Sequence, residues 1–213
     1  MRYADDVVAG FEHEDDAWRF RDAMRERMSA FSLTLHPDKT RLIAFGRHAA
    51  ADRASLGLGK PETFDFLGFT HICGRSRRGG FLLKRKSRRD RVRAKLGEIK
   101  DELRARMHQP KPQQGEWLRR VVGGFFAYHA VPTNGATLVA FRHHVIDLWR
   151  RTLRRRSQKD DTTWARMDKL AGDWLPKPHI LHRWPNQRFA VKHPRWEPDA
   201  GKPHVRFCAG GAQ

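Results

Sequence analysis

The chain is poor in cysteine, in long apolar runs and in acidic residues relative to basic ones. Its two cysteines, Cys73 and Cys208, are too few for a disulfide framework. No apolar run reaches the length of about 18 residues that marks a transmembrane helix, and no signal peptide or lipidation motif is visible. His204 and Cys208 lack the second ligand pair that a zinc site needs. These absences predict a cytoplasmic protein with no membrane partner.

Positive charge is concentrated in the middle of the chain. The 213 residues carry 43 Lys and Arg against 24 Asp and Glu, a net charge of +19. Residues 75–160 hold 24 basic against 7 acidic side chains, a net charge of +17, whereas residues 1–74 have a net charge of −2. Such a block predicts a polyanionic partner. A membrane surface is the alternative to nucleic acid, but no apolar run supports it.

An acidic motif stands at the beginning of the sequence. The residues Tyr-Ala-Asp-Asp at positions 3–6, followed by Val7 and Val8, are typical of a tight β-hairpin that presents carboxylates to a metal. Mg²⁺ prefers carboxylate and water oxygens, and polymerases use two such ions in phosphoryl transfer. Two carboxylates cannot hold both ions, so a further acid must come from elsewhere. An ordinary Asp-Asp turn is the alternative interpretation.

Hydrophobic periodicity predicts strands in the first part of the chain and helices in the second. A helix is predicted to open at 14–16 with one apolar face, strands at 42–45, 64–72 and 81–83, and a loop over 46–60. Four further helices are predicted at about 87–107, 116–128, 138–155 and 163–174, with a linker at 109–115. The helix at 116–128 is expected to bury Trp117, Val121, Phe125 and Tyr128.

Further motifs follow in a fixed order. They are Leu-Thr-Leu-His-Pro-Asp-Lys-Thr at 33–40, Phe-Asp-Phe-Leu-Gly-Phe at 64–69, Gly-Phe-Phe-Ala-Tyr-His-Ala-Val-Pro at 124–132, Arg-Arg-Ser-Gln at 155–158 and His-Val-Arg-Phe-Cys-Ala-Gly-Gly at 204–211. Together with the acidic motif they resemble the reverse transcriptase/maturase proteins encoded by bacterial group II introns, from the Tyr-Ala-Asp-Asp box to the C terminus.

The resemblance implies an α+β chain with four parts. Residues 1–72 are expected to form the C-terminal part of a reverse-transcriptase palm and 73–86 a linking hairpin. Residues 87–174 are expected to form an all-helical thumb or maturase domain, and 175–213 a Pro-rich extended tail anchored by Trp184, Phe189 and Trp196. In that family the fingers and a third metal-binding Asp precede the box, so we expect a truncated chain, or one completed by a separately encoded N-terminal half or a second copy.

The resemblance also implies candidate site residues. Asp5 and Asp6 are the expected catalytic Mg²⁺ ligands, with Asp5 bridging both ions. Tyr3, Lys39 and Gly68 are expected near the nucleic acid. The basic residues of the helical part supply further nucleic-acid-binding candidates, namely Arg88, Arg89, Arg91, Arg151, Arg154, Arg155 and Arg156. Dipole compensation at a helix C terminus is the alternative role for the last four, and ordinary packing or exposure is the alternative for Lys39 and Gly68.

Three functional hypotheses follow. The first is an RNA-directed DNA polymerase that acts on an RNA template and a DNA primer with Mg²⁺. The second is a non-catalytic cofactor that binds group II intron RNA and assists its splicing and mobility. The third is an inactive relic. For the first two, a bacterial cytoplasmic protein associated with ribonucleoprotein or nucleoid is expected.

Overall fold

The computed structural model describes residues 2–3, 6–156 and 162–184. The strands, in chain order, are β1 (Arg2–Tyr3), β2 (Asp6–Val7), β3 (Phe64–Phe66), β4 (Phe69–Arg75) and β5 (Phe81–Ser87). The helices are α1 (Glu14–Ala30), α2 (Ala49–Ser55), α3 (Arg89–Ala105), α4 (Lys111–His129), α5 (Gly135–Arg154) and α6 (Trp164–Trp174). The predicted α+β class is confirmed. No helix within these ranges is long and apolar enough to cross a membrane.

The chain divides into two compact units, and within the described residues the first extends to Glu62. This division falls ten residues before the expected palm boundary at residue 72. In the first unit, β1 and β2 pair antiparallel, with Tyr3 opposite Asp6. Helix α1 opens with three acidic residues, which suit the helix dipole, but it buries none of its side chains. As far as this unit is described, Ala49 of α2 is its one buried residue.

Two predictions for the first unit are wrong. Residues 42–45 were expected to form a strand, but their backbone pairs with no other strand in the part of the chain that is described. The predicted loop over 46–60 contains α2. Three successive alanines from Ala49 favour the helix, and the chain leaves it through Gly57 at a φ of +67°, which glycine adopts readily.

The second unit begins at Thr63 and contains a three-stranded antiparallel sheet in the order β3-β4-β5. The predicted single strand over 64–72 is wrong, because a two-residue turn divides it into β3 and β4. Leu67 and Gly68 form this turn with φ angles of 48° and 74°, the conformation that tight hairpins require. The expected hairpin is confirmed: β4 and β5 pair on either side of residues 76–80, and Gly74 lies opposite Leu82.

Helices α3 to α6 pack around one apolar core. Its buried members are Ile99, Leu103, Leu118, Val122, Phe125, Phe126, Ala130, Leu138, Phe141, Val145, Ile146, Trp149, Leu153, Met167, Ala171 and Leu175. Periodicity predicted all four helices. The predicted linker at 109–115 is wrong from Lys111 onward, because α4 begins there with Pro112 in its first turn, where the helix has no need of an amide donor.

The buried face of α4 differs from the predicted one. Phe125 is buried, but Tyr128 is 52% exposed, and its hydroxyl donates to the Leu67 carbonyl at 2.8 Å. Leu118 and Val122 fill the core instead, each with no exposed area. Helix α4 contacts both α5 and α6, so it buries a face that is wider than the single stripe.

The residues after α6 lie along the end of α4. The amides of Leu181 and His182 both donate to the Ala130 carbonyl, at 3.0 and 3.2 Å. The His182 Nε2 donates to the Ala127 carbonyl at 2.8 Å. The expected extended tail therefore begins against the helical core. Its expected anchors Phe189 and Trp196 lie outside the described residues.

Candidate nucleic-acid interface

A buried polar network joins the sheet to the helices. The Ser87 amide donates to Asn134 Oδ1 at 3.1 Å, and Asn134 Nδ2 donates to Ser87 Oγ and to the His129 carbonyl, both at 2.8 Å. Ser87 Oγ lies 2.8 Å from His129 Nδ1. Because Asn134 already donates to this oxygen, the serine proton is available to a neutral His129 ring. Burial lowers the pKa of His129, which favours that neutral form.

The network places the beginnings of α3 and α5 side by side, since Ser87 precedes α3 and Asn134 is the N-cap of α5. A second buried side chain joins the helices further on. Gln114 Oε1 accepts from Trp149 Nε1 of α5 at 2.8 Å. Its Nε2 lies within hydrogen-bond distance of three carbonyls just after α3, those of Arg106, Met107 and Gln109. Helices α3 and α5 therefore run in parallel.

Helix α3 carries four exposed cations on one side, which we call the α3 stripe: Arg89, Arg93, Lys100 and Arg104. Their spacing of four, seven and four residues follows the helical period. Arg104 lies fifteen residues after Arg89, so the stripe is about 22 Å long at 1.5 Å per residue. Within the described part of the chain, none of the four forms an ion pair. Their charge is therefore available to an anionic partner.

The parallel helix α5 carries a matching row, which we call the α5 stripe: His144, Arg151 and Arg155. All three are exposed. They are seven and four residues apart, so they lie on one side of α5, with Arg155 as its C-cap residue. Arg151 also binds Asp147 at 2.6 Å. Two rows of basic side chains thus stand on two parallel helices that the buried network holds together.

The predicted site residues at the start of α3 differ in their surroundings. Arg88 caps the helix and contacts Asp90 at 3.1 and 2.7 Å and Asp65 at 3.5 Å. The hydrogen bonds that Arg88 donates to Asp90 raise the pKa of Arg88 and lower the pKa of Asp90. Arg88 therefore serves the local fold. Arg89 belongs to the α3 stripe, whereas Arg91, two residues on, is exposed on another side.

The predicted arginines cluster at the end of α5, and two of them also belong to the α5 stripe. Arg151, Arg154, Arg155 and Arg156 are all exposed. Arg156 Nη2 lies 3.5 Å from the His108 carbonyl. Because α3 and α5 are parallel, this cluster lies at the opposite end from Arg89. The separation along the 17 residues of α3 is about 25 Å.

The remaining predicted residues lie in turns and hairpins. Gly68 occupies the β3–β4 turn, where a Cβ would lie 3.7 Å from the Tyr128 ring. Its positive φ explains the glycine without a ligand. Tyr3, Asp6 and Lys39 are exposed in the first unit, and Lys39 lies in a turn closed by the His36 carbonyl. Asp5 lies outside the described residues.

The described residues do not by themselves fit a magnesium centre. Asp6 is exposed on β2 opposite Tyr3. Within the ranges that the structure describes, no three His, Cys, Asp or Glu side chains come together as metal ligands. Magnesium requires a near-octahedral oxygen shell, which the exposed Asp6 carboxylate does not supply by itself.

The sequence motifs did not identify all of the basic residues on this surface. Arg93, Lys100 and Arg104 were not among the predicted site residues, although their helical spacing from Arg89 was a readable signal. The partnership of Ser87 with Asn134 had no such signal, because 47 residues separate them.

Comparison with known proteins adds no assignment. No family model matches the chain, and neither a curated protein nor a solved structure matches it.

Proposed function

We propose that this chain is an RNA-binding protein of the group II intron reverse transcriptase/maturase type. In this proposal α3 to α6 form the thumb or maturase domain, which binds structured intron RNA and assists its folding and splicing. The first unit is part of the polymerase palm. The observation that carries the proposal is the α3 stripe, whose four cations have no acidic partner among the described residues and stand on a rigid helix.

The arrangement suits recognition of RNA by shape. Contacts from Lys and Arg to phosphate position a nucleic acid without reading its sequence. Double-stranded RNA is recognised mostly through its phosphates and 2′-hydroxyls. A row of cations about 22 Å long reaches several successive phosphates of one strand, and the buried network at Ser87 keeps the two helices in register. Splicing assistance then consists of holding the intron RNA in one folded arrangement.

RNA-directed DNA synthesis is the second candidate. The β1–β2 pairing favours it. A tight hairpin is the local structure expected to present the Asp5 and Asp6 carboxylates to a metal, and Tyr3 lies opposite Asp6 across the two strands. Activity on an RNA template and a DNA primer would need a further acid beside Asp5 and Asp6, supplied by a separately encoded half or by a second copy. An inactive relic is the remaining alternative.

The salt dependence of RNA binding tests the first proposal. In fluorescence anisotropy with a structured RNA, the logarithm of affinity should fall with the logarithm of salt by roughly 0.7–0.9 for each phosphate contacted. Replacing Arg93, Lys100 and Arg104 together by Gln should lower this slope by about 2. A salt-independent affinity would contradict the proposal.

The control removes the same charge from the first unit. Arg25, Arg27 and Arg47 are exposed there, and replacing all three by Gln should change the slope by less than the α3 triple. If both triples have equal effects, the α3 stripe is not the interface and binding depends on net charge alone.

A further inference from the structure

A recess of about 270 Å³ opens between α3 and α5, beside the middle of the α3 stripe and the first two members of the α5 stripe. Its lining residues are Leu96, Gly97, Lys100, His144, Asp147, Leu148 and Arg151. Leu96 and Leu148 are partly buried and pack against the core, so the floor is apolar. Lys100 comes from the α3 stripe, and His144 and Arg151 come from the α5 stripe, so the rim is basic.

Gly97 keeps this recess open. It lies in the interior of α3, where glycine is less favourable than alanine because it loses more backbone freedom on folding. A Cβ at this position would meet no atom within 4 Å, and Gly97 has no positive φ. Neither packing nor backbone conformation therefore requires glycine here. The absent side chain leaves space directly above the apolar floor.

The Asp147 carboxylate determines which part of a nucleotide can bind inside the recess. Asp147 is 22% exposed and pairs with Arg151 at 2.6 Å. A carboxylate repels a phosphate placed inside the recess, but it accepts hydrogen bonds from the exocyclic amino group of a base. Phosphates on either side of that base are attracted by Lys100 and Arg151 at the rim. An apolar floor, one acceptor and a basic rim together match a single nucleotide with its base inserted.

We propose that this recess takes one unstacked nucleotide of a bound RNA, with the base on Leu96 and Leu148 beside Asp147 and the flanking phosphates on the two stripes. This inference rests on the proposed RNA-binding function. It adds that the protein should bind RNA with a bulged, amino-bearing base more tightly than a fully paired helix. Proteins that recognise RNA specifically do so mostly at such unpaired bases.

The test uses the full chain and two RNA hairpins that differ only by one bulged adenine. Wild-type protein should bind the bulged hairpin roughly tenfold more tightly, near the lower end of what stacking one base on an aromatic side chain contributes, because the floor here is aliphatic. With 2-aminopurine at the bulge, fluorescence should change on binding. Gly97→Leu, which fills the recess, should abolish both the preference and the fluorescence change while affinity for the paired hairpin stays within about twofold.

Gly124→Leu is the matched control. Gly124 also lies within a helix with no atom within 4 Å of an added Cβ, and it is exposed on α4, outside the recess. This variant should keep the full preference. Asp147→Ala removes the acceptor altogether, so the ratio of the affinities for the bulged and the paired hairpin should fall, whatever happens to overall affinity.

The outcomes separate the two proposals. Equal, salt-dependent binding of both hairpins by the wild type would overturn the recess inference and leave RNA binding in place, as would a preference that survives Gly97→Leu. Loss of the preference in Gly124→Leu as well would also overturn it. Failure to bind either hairpin at low salt would overturn the proposed function and the inference together.

Discussion

The two units of this chain differ in core and in charge. In the described part of the first unit, Ala49 is the one buried residue, and large apolar side chains such as Trp18, Phe20 and Phe31 are 40–66% exposed. The second unit buries sixteen residues in one cluster that extends from α3 past α6. It also contains the whole basic block at 75–160, with its net charge of +17.

This contrast shows where rigidity and binding coincide. A row of cations positions phosphates only when its helix is held in place, and α3 is held by Ile99 and Leu103 in the core and by the Ser87 network at its start. The first unit presents apolar surface without a core beneath it. Exposed apolar patches favour association, so we expect this unit to gain order from a partner.

The largest expected effect is in hydrogen exchange. Amides in α4 and α5 should exchange about a thousandfold or more slowly than those of residues 2–30, because core helices open only with the global free energy of unfolding and segments without a core open locally. Exchange of the intact chain followed by mass spectrometry measures this. Equal protection in the two regions would show that the first unit has found a partner, either a second copy or a separately encoded chain.

A pair of identical substitutions gives the next largest effect. Leu118 in α4 has no exposed area, whereas Leu33 in the first unit is 57% exposed. Leu118→Ala should lower the free energy of unfolding by about 2–5 kcal/mol through lost burial and a cavity. Leu33→Ala should change it by less than about 0.5 kcal/mol.

Urea denaturation followed by circular dichroism gives both values. A large effect of Leu33→Ala would mean that the first unit is packed against something in solution, which would remove the contrast between the units.

The sequence predicted the regular part of the second unit well. Periodicity placed α3, α5 and α6 within a few residues of their ends, because each has an apolar face of helical period. Periodicity gave the wrong element boundaries at two places where a single turn or a proline interrupts the pattern. The Leu67-Gly68 turn interrupts an otherwise continuous apolar run, and Pro112 marked a helix start that resembles a linker.

Tertiary partners explain the remaining differences. Tyr128 follows the apolar stripe of α4, yet it turns outward because the Leu67 carbonyl, 61 residues away, accepts its hydroxyl. The buried Asn134 pairs with Ser87 across 47 residues. No local pattern encodes such a pairing. The same limit applies to the recess, where Gly97 was unremarkable until α5 was seen beside it.

The smallest expected effect is a dependence of stability on pH that belongs to the second unit. Burial lowers the pKa of both His71 and His129 in the folded protein, relative to about 6.5 in the unfolded chain. The unfolded chain therefore binds more protons as pH falls through this value, and stability present above about pH 6.5 is lost below it. Protonated His129 also cannot accept the Ser87 hydroxyl hydrogen at Nδ1.

The melting temperature should fall by a few degrees between pH 8 and pH 5.5, a range above the ordinary pKa of carboxylates. His129→Phe should reduce this slope whatever its absolute stability, because the ring stacks on Phe125 at 4.2 Å and phenylalanine keeps that contact without titrating. His36→Phe, which replaces an exposed histidine of the first unit, should retain the wild-type slope. If His129→Phe also retains it, protonation at the joint between sheet and helices does not control stability, and the slope arises at His71, whose buried Nδ1 has no partner among the described residues.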